Sequence, residues 1–221
     1  MKTNLTELVF ILDRSGSMGG LESDTIGGFN SMLAKQQEQD GECRITTALF
    51  DHEYEILHDR IDIKAVSPIT EKEYFVRGQT ALLDAIGRTI HKIGSTQKQT
   101  AKDYRAEKVL FVITTDGMEN ASREYSYGKV KSHIKRQKSK YGWEFIFLGA
   151  DIDAVEVADR FGIAGNRAQN FQKDRDGIAL KYRVVEEAVA FFRSAPINTP
   201  LPDDWCADIE EDYRRRGGKQ C

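Results

Sequence analysis

Cysteine is scarce: Cys43, Cys206 and Cys221 are the only three in 221 residues. An odd number without C-x-x-C or Cys/His spacing excludes a disulfide-stapled scaffold and a zinc ribbon. It suits free thiols in a reducing cytoplasm, so a cytoplasmic protein is expected; a Cys206 to Cys221 disulfide is the disfavoured alternative. Long apolar runs are missing as well. The first of any length, LVFIL, ends at Asp13 and Arg14 and is too short for the h-region of an export signal after Lys2, and no run could span a bilayer. Charge of one sign is not in excess: the net charge of −3 and pI near 5.9 disfavour a chain built to bind nucleic acid. The four histidines (His52, His58, His91, His133) follow no H-x-x-x-H or H-x-x-E-H pattern, which leaves them surface or structural roles. Neither a P-loop nor a G-x-S-x-G elbow is present.

What the chain has instead is D-R-S-G-S-M at residues 13–18, directly after the LVFIL run. One carboxylate and two hydroxyls at a strand end suit a hard cation such as Mg²⁺, Mn²⁺ or Ca²⁺, with no Cys or His nearby to draw Zn²⁺ or copper. Taken alone, the pattern also fits a helix cap or a turn. Two distant segments add to it. Asp116 closes a second apolar run, KVLFVITTDG, and Thr80 in RGQTALLDAI stands where an amphipathic helix begins. Open α/β sheets bind ligands outside the carboxyl ends of their strands, so Asp13, Ser15, Ser17, Thr80 and Asp116 can form one oxygen cluster.

At these residues the chain resembles the von Willebrand factor type A (vWA) domain, whose metal-ion-dependent adhesion site (MIDAS) is written D-x-S-x-S, then Thr, then Asp. The likeness takes in LVFILDRSGSM, GQTALLDAI and VITTDGMEN and runs over residues 5–193. It implies a doubly wound, mostly parallel α/β sheet with one antiparallel strand in the edge region and helices on both faces, a Rossmann-like fold. It also implies a divalent cation, Mg²⁺ foremost, whose last coordination position is filled by an acidic residue of a protein partner. Stand-alone bacterial and phage proteins of this kind work beside AAA+ ATPases of the MoxR type or in stress and tellurite-resistance systems, so such an ATPase is an expected partner.

The rest of the chain reads as alternating elements. Leu21, Ile26, Phe29 and Leu33 mark a helix ending near Asp40 and Gly41, and CRITTALF and EYEILHDRI form a hairpin across a two-residue link. Residues 65–78 form a loop carrying Tyr74 and Phe75 toward Thr80. Leu83, Ile86, Ile90 and Ile93 define a helix that Gly94 can end in a left-handed cap. A basic helix with Val130 and Ile134 on one face, a buried strand WEFIFLGAD, a helix DAVEVADRFG, a short NRAQNF strand and a closing helix through Phe192 complete residues 1–193. Residues 194–221 hold three of the four prolines, in APINTPLP, followed by an amphipathic stripe of Trp205, Ile209 and Tyr213. That stripe needs a surface, either its own domain or a partner.

Neutral hydroxyl ligands leave a bound Mg²⁺ much of its positive charge, which favours capture of an external carboxylate over catalysis. The expected function is therefore a metal-dependent protein-binding module and not an enzyme. Tyr74, Phe75, Met118 and Arg123 are the candidate rim contacts for the partner. The alternative is a metal-dependent hydrolase of phosphoesters, for which only Asp84 and Glu119 lie near the motifs as weak candidates for a base.

Overall fold

The computed structural model describes residues 5–218; Lys2 and Cys221, which enter the expectations about export and a disulfide, lie outside the described residues. Six strands, β1 (Thr6–Asp13), β2 (Cys43–Phe50), β3 (Tyr54–Asp62), β4 (Lys108–Thr115), β5 (Glu144–Gly149) and β6 (Ala168–Asn170), form one sheet in the order β3-β2-β1-β4-β5-β6. All neighbours run parallel except β2 and β3, the antiparallel hairpin that ends the sheet on one side. Helices α1 (Glu22–Gln37), α2 (Leu82–Gln99), α3 (Tyr127–Tyr141), α4 (Ala154–Phe161), α5 (Arg175–Ser194) and α6 (Ala207–Arg215) cover it.

The buried strands carry apolar residues on both faces because both faces meet helices. Leu8, Phe10 and Leu12 of β1 point into one core with Phe29 and Leu33 of α1 and Tyr182 and Val185 of α5. Val9 and Ile11 alternate into the other core, with Ile86 and Ile90 of α2, Val130 and Ile134 of α3, and Phe161 of α4. Strand order reverses at β1, whose neighbours are β2 and β4, so the loops leaving β1 and β4 diverge and open a crevice at their carboxyl ends. This is a vWA-like, Rossmann-like α/β fold.

One helix boundary differs from the reading of the sequence. Gly94 does not cap α2, which runs on to Gln99. A Cβ at Gly94 would stand 3.2 Å from Gln137 Nε2 on α3, so the glycine marks a close helix approach. The last turns are held by Thr96 Oγ1 donating to the Lys92 carbonyl (2.9 Å) and by Gln97 Nε2 donating to Glu7 Oε2 (2.8 Å). Left-handed caps occur instead at Gly142 and Gly162, with φ of 65° and 79°.

Beyond α5 the chain lies back on the domain. Leu201, Cys206 and Ile209 join the α1/α5 core, Trp205 Nε1 donates to the Asn166 carbonyl (2.9 Å), and Arg183 pairs with Asp208 (2.8 Å). Among the described residues no helix is long and apolar enough to cross a membrane.

Candidate functional site

Asp13 is the last residue of β1 and is buried. Its Oδ1 accepts from the Ser15 amide (2.7 Å) and its Oδ2 from Thr115 Oγ1 (2.6 Å), so the carboxylate bridges the ends of β1 and β4. Ser17 Oγ donates to Asp116 Oδ1 (2.6 Å) and lies 3.0 Å from Ser15 Oγ. Backbone bonds bring in the third stretch: the Gly16 amide donates to the Gly78 carbonyl (3.1 Å), the Thr80 amide to Asn120 Oδ1 (2.9 Å), and the Asn120 amide to the Thr80 carbonyl (3.0 Å). A Cβ added to Gly117 would stand 3.1 Å from Thr80 Oγ1 and 3.3 Å from Ser17 Oγ, so both hydroxyls crowd that glycine. Asp13, Ser15, Ser17, Thr80 and Asp116 thus meet at one place from three separate stretches, with Ser17 at the solvent side.

The electrostatics are those of two buried carboxylates held close together. Burial pushes the Asp13 carboxyl up to about 6 against the pull of its bonds from Thr115 and Ser15, and neighbouring Asp116 adds to the rise. Asp116 Oδ2 is buried, and among the described residues no hydroxyl or backbone amide bonds to it. The Lys173 ammonium pairs with it at 2.9 Å and also reaches Asp151 Oδ2 at 3.1 Å. Beneath the site Lys181 is fully buried, with its ammonium over the rings of Phe171 (4.5 Å) and Tyr182 (4.4 Å). Burial pulls it down to about 7, although Asp116 and Asp13 act in the opposite direction.

The rim residues divide. Tyr74 is no rim contact: its ring is wholly buried and its hydroxyl donates to the Asp13 carbonyl (2.6 Å), which pins the end of β1. Phe75 is 42% exposed, with Arg14 and Arg77 over its ring at 5.2 and 5.5 Å, and Met118 is 62% exposed beside Asp116. Arg123 is exposed, and its amide donates to Asp84 Oδ2 (2.8 Å). Asp84 accepts the amides of Glu124 and Tyr125 as well, and Glu119 accepts those of Leu83, Ala121 and Ser122. Both carboxylates hold loop backbone and neither is free as a base.

Sequence reading missed three groups. Thr115 carried a faint signal as a hydroxyl ending an apolar strand next to Asp116. The fully buried Arg14 binds Asp51 Oδ2 through Nε (3.0 Å), and Arg77 Nε reaches the same oxygen (2.9 Å) while the Asp51 carbonyl accepts from the Ala81 amide (2.8 Å), so this cluster braces the Thr80 loop. Lys173, in the loop after β6, carried no signal at all.

Two carboxylates and three hydroxyls are a hard-cation donor set. Among the described residues no three His, Cys, Asp or Glu side chains gather to hold a metal, so a thiol- or imidazole-rich site is not on offer. The neighbouring buried carboxylates of Asp13 and Asp116, with the Ser17 and Thr80 hydroxyls standing over a glycine that carries no side chain between them, fit an oxygen-liganded ion.

No family model and no curated protein matches the sequence. Solved structures do. They include a D319A mutant of the PilB minor pilin from Streptococcus sanguinis (13% identity, TM-score 0.60, covering 86% of this chain and 63% of that one). Proximal thread matrix protein 1 from the mussel byssus, with a zinc-occupied MIDAS motif, gives 14% identity and a TM-score of 0.52 over 84% of this chain and 46% of that one. A von Willebrand factor type A structure from Catenulispora acidiphila gives 14% and 0.54 over 84% and 42%. The chain spans under two thirds of the pilin and under half of the other two. At such identity the likeness establishes the vWA-like fold. The cytoplasmic setting expected from the cysteines is overturned, since a pilin and a byssal matrix protein are extracellular. The physical reason lies in Cys43 and Cys206: both are buried and unpaired, and burial raises their thiols to about 12 and about 11, so they persist as thiols without a reducing compartment.

Proposed function

We propose that this vWA-like domain is a metal-dependent protein-binding module. Asp13, Ser15, Ser17, Thr80 and Asp116 would hold one divalent cation, Mg²⁺ before Mn²⁺ or Ca²⁺, and an exposed Asp or Glu of the partner would complete its coordination. The observation that carries the reading is the meeting of Asp13, Ser15, Ser17, Thr80 and Asp116 from three separate stretches, with the Thr80 and Ser17 hydroxyls standing over Gly117 and the buried Asp116 carboxylate held by Ser17 and Lys173. The zinc-occupied MIDAS of the byssal protein supplies a precedent on the same fold. When bound, the ion supplies an electrophilic point that attracts an anionic ligand.

The chain's own residues do the rest. Thr115 and the Ser15 amide orient Asp13, Ser17 orients Asp116, and the Arg14, Asp51 and Arg77 cluster keeps the Thr80 loop in reach. Met118 and Phe75 offer apolar contacts for residues flanking the partner's carboxylate. On the family resemblance, an ATPase of the MoxR type presenting such a carboxylate is one partner that fits. No observation favours the hydrolase reading, because Asp84 and Glu119 are occupied by backbone amides.

The test is a melt in chelator against one in Mg²⁺ or Mn²⁺. At 100 times Kd the linkage is about 2.7 kcal/mol, or roughly 5 to 10 °C in Tm for a chain of this size. Gly117→Ala, whose Cβ would crowd Thr80 and Ser17, should fold and lose that shift. An equal melt of the wild-type protein with and without metal would refute the site.

A further inference from the structure

Three loops at the carboxyl ends of neighbouring strands converge on one ammonium. The loop after β4 carries Asp116, the loop after β5 carries Asp151, and the loop after β6 carries Lys173. Asp151 is held at φ 54°, a left-handed conformation that Asp tolerates better than most residues, and its carboxylate reaches Lys173. Lys173 precedes Asp174, the N-cap of α5, whose side chain accepts the Gly177 amide (2.9 Å), so its backbone is fixed at the start of a long helix. Its ammonium is therefore placed 2.9 Å from the buried Asp116 Oδ2, to which no other donor among the described residues bonds.

We propose that Lys173 determines the metal affinity of this site: its ammonium is the resident cation of Asp116 Oδ2, and a divalent ion must displace it to engage that carboxylate. The inference rests on the proposed metal-binding function. Its reason is electrostatic. Two cations sharing one buried carboxylate repel strongly where water screens little, so the ion and the ammonium compete for Asp116. An exposed lysine pair would not matter in this way, because an exposed ion pair contributes little. Here the carboxylate is wholly buried, and leaving it unpaired is costly. Lys173 thus keeps the metal-free domain folded and sets the ion concentration at which the site loads, while Asp151 is the exposed second anchor onto which the released ammonium can settle.

Lys173→Met should lower Tm in chelator and bind Mg²⁺ at least tenfold more tightly by calorimetric titration at fixed pH and salt. Asp151→Asn, which leaves Asp116 its ammonium, is the milder second variant and should weaken metal binding, because the displaced Lys173 loses its alternative partner. In the wild-type protein the ¹⁵N-labelled Lys173 ammonium should give a slowly exchanging signal in chelator that is lost as Mg²⁺ is added. A purely structural lysine would lower Tm with and without metal and leave Kd unchanged. Equal Mg²⁺ affinity of the wild type and Lys173→Met would overturn the inference and leave the metal site standing. Absence of Mg²⁺ binding in both would overturn the site itself.

Discussion

If the proposed metal site holds, the raised pKa of Asp13 should make metal binding a function of pH in a range where an ordinary aspartate would be silent. Burial moves this carboxyl from 3.8 to about 6 in the metal-free protein. An ion needs it ionised. At pH 5 only about one molecule in eleven has lost that proton, so the apparent affinity should fall roughly tenfold from its value at pH 7.5, or about 1.4 kcal/mol. With a pKa of 3.8 the same change would alter affinity by less than about 10%. The sign for stability follows: a carboxyl whose folded pKa is raised contributes most below its unfolded value and loses that contribution as pH rises through about 6. The shift corresponds to about 3 kcal/mol in all, so the metal-free domain should weaken across this window while the metal-induced gain grows. The assay is calorimetric titration with Mg²⁺ at pH 5.0, 6.0 and 7.5 in buffers of different ionisation enthalpy, which counts protons released. Nearly one proton should leave at pH 5 and, in a Lys181→Met background that removes the other group titrating nearby, almost none at pH 7.5. An affinity constant across the range, without proton release at pH 5, would refute the argument.

Lys181→Met is itself informative. Burial lowers this lysine from 10.5 to about 7, and the full shift corresponds to about 5 kcal/mol at most. Because the unfolded chain holds a proton that the folded one sheds, stability should rise with pH between 7 and 10.5; the Met variant should be about 2 kcal/mol or more stabler at pH 7 by urea unfolding and should lose that slope. A destabilised variant would mean that the attraction of Asp116 and Asp13 outweighs desolvation. Tyr74→Phe removes the donor to the Asp13 carbonyl and should cost about 1 to 2 kcal/mol in the same assay. It should also weaken Mg²⁺ binding by loosening the end of β1, and unchanged stability would refute the pinning role.

Much of this architecture was legible along the chain because its signals are local. Apolar runs such as LVFIL and KVLFVITT must be buried on both faces, a link of a few residues between β2 and β3 can only make an antiparallel pair, and Asp13, Ser15, Ser17, Thr80 and Asp116 lie where strands end or helices begin. What failed did so where a residue's role depends on something distant. Gly94 looks like a helix stop until α3 is seen to pass beside it. Tyr74 looks like an exposed loop aromatic until its hydroxyl finds the Asp13 carbonyl, 61 positions away in sequence.

By itself, then, the amino-acid order determined the doubly wound sheet and nominated the five oxygen donors, since periodicity and strand-end chemistry act over a few residues. Only the tertiary structure decided that Lys173, from the loop after β6, would stand 2.9 Å from Asp116, and that Lys181 would be sealed beneath the carboxylates. Charge interacts through space, and no pattern in the sequence records which loops a fold will bring together.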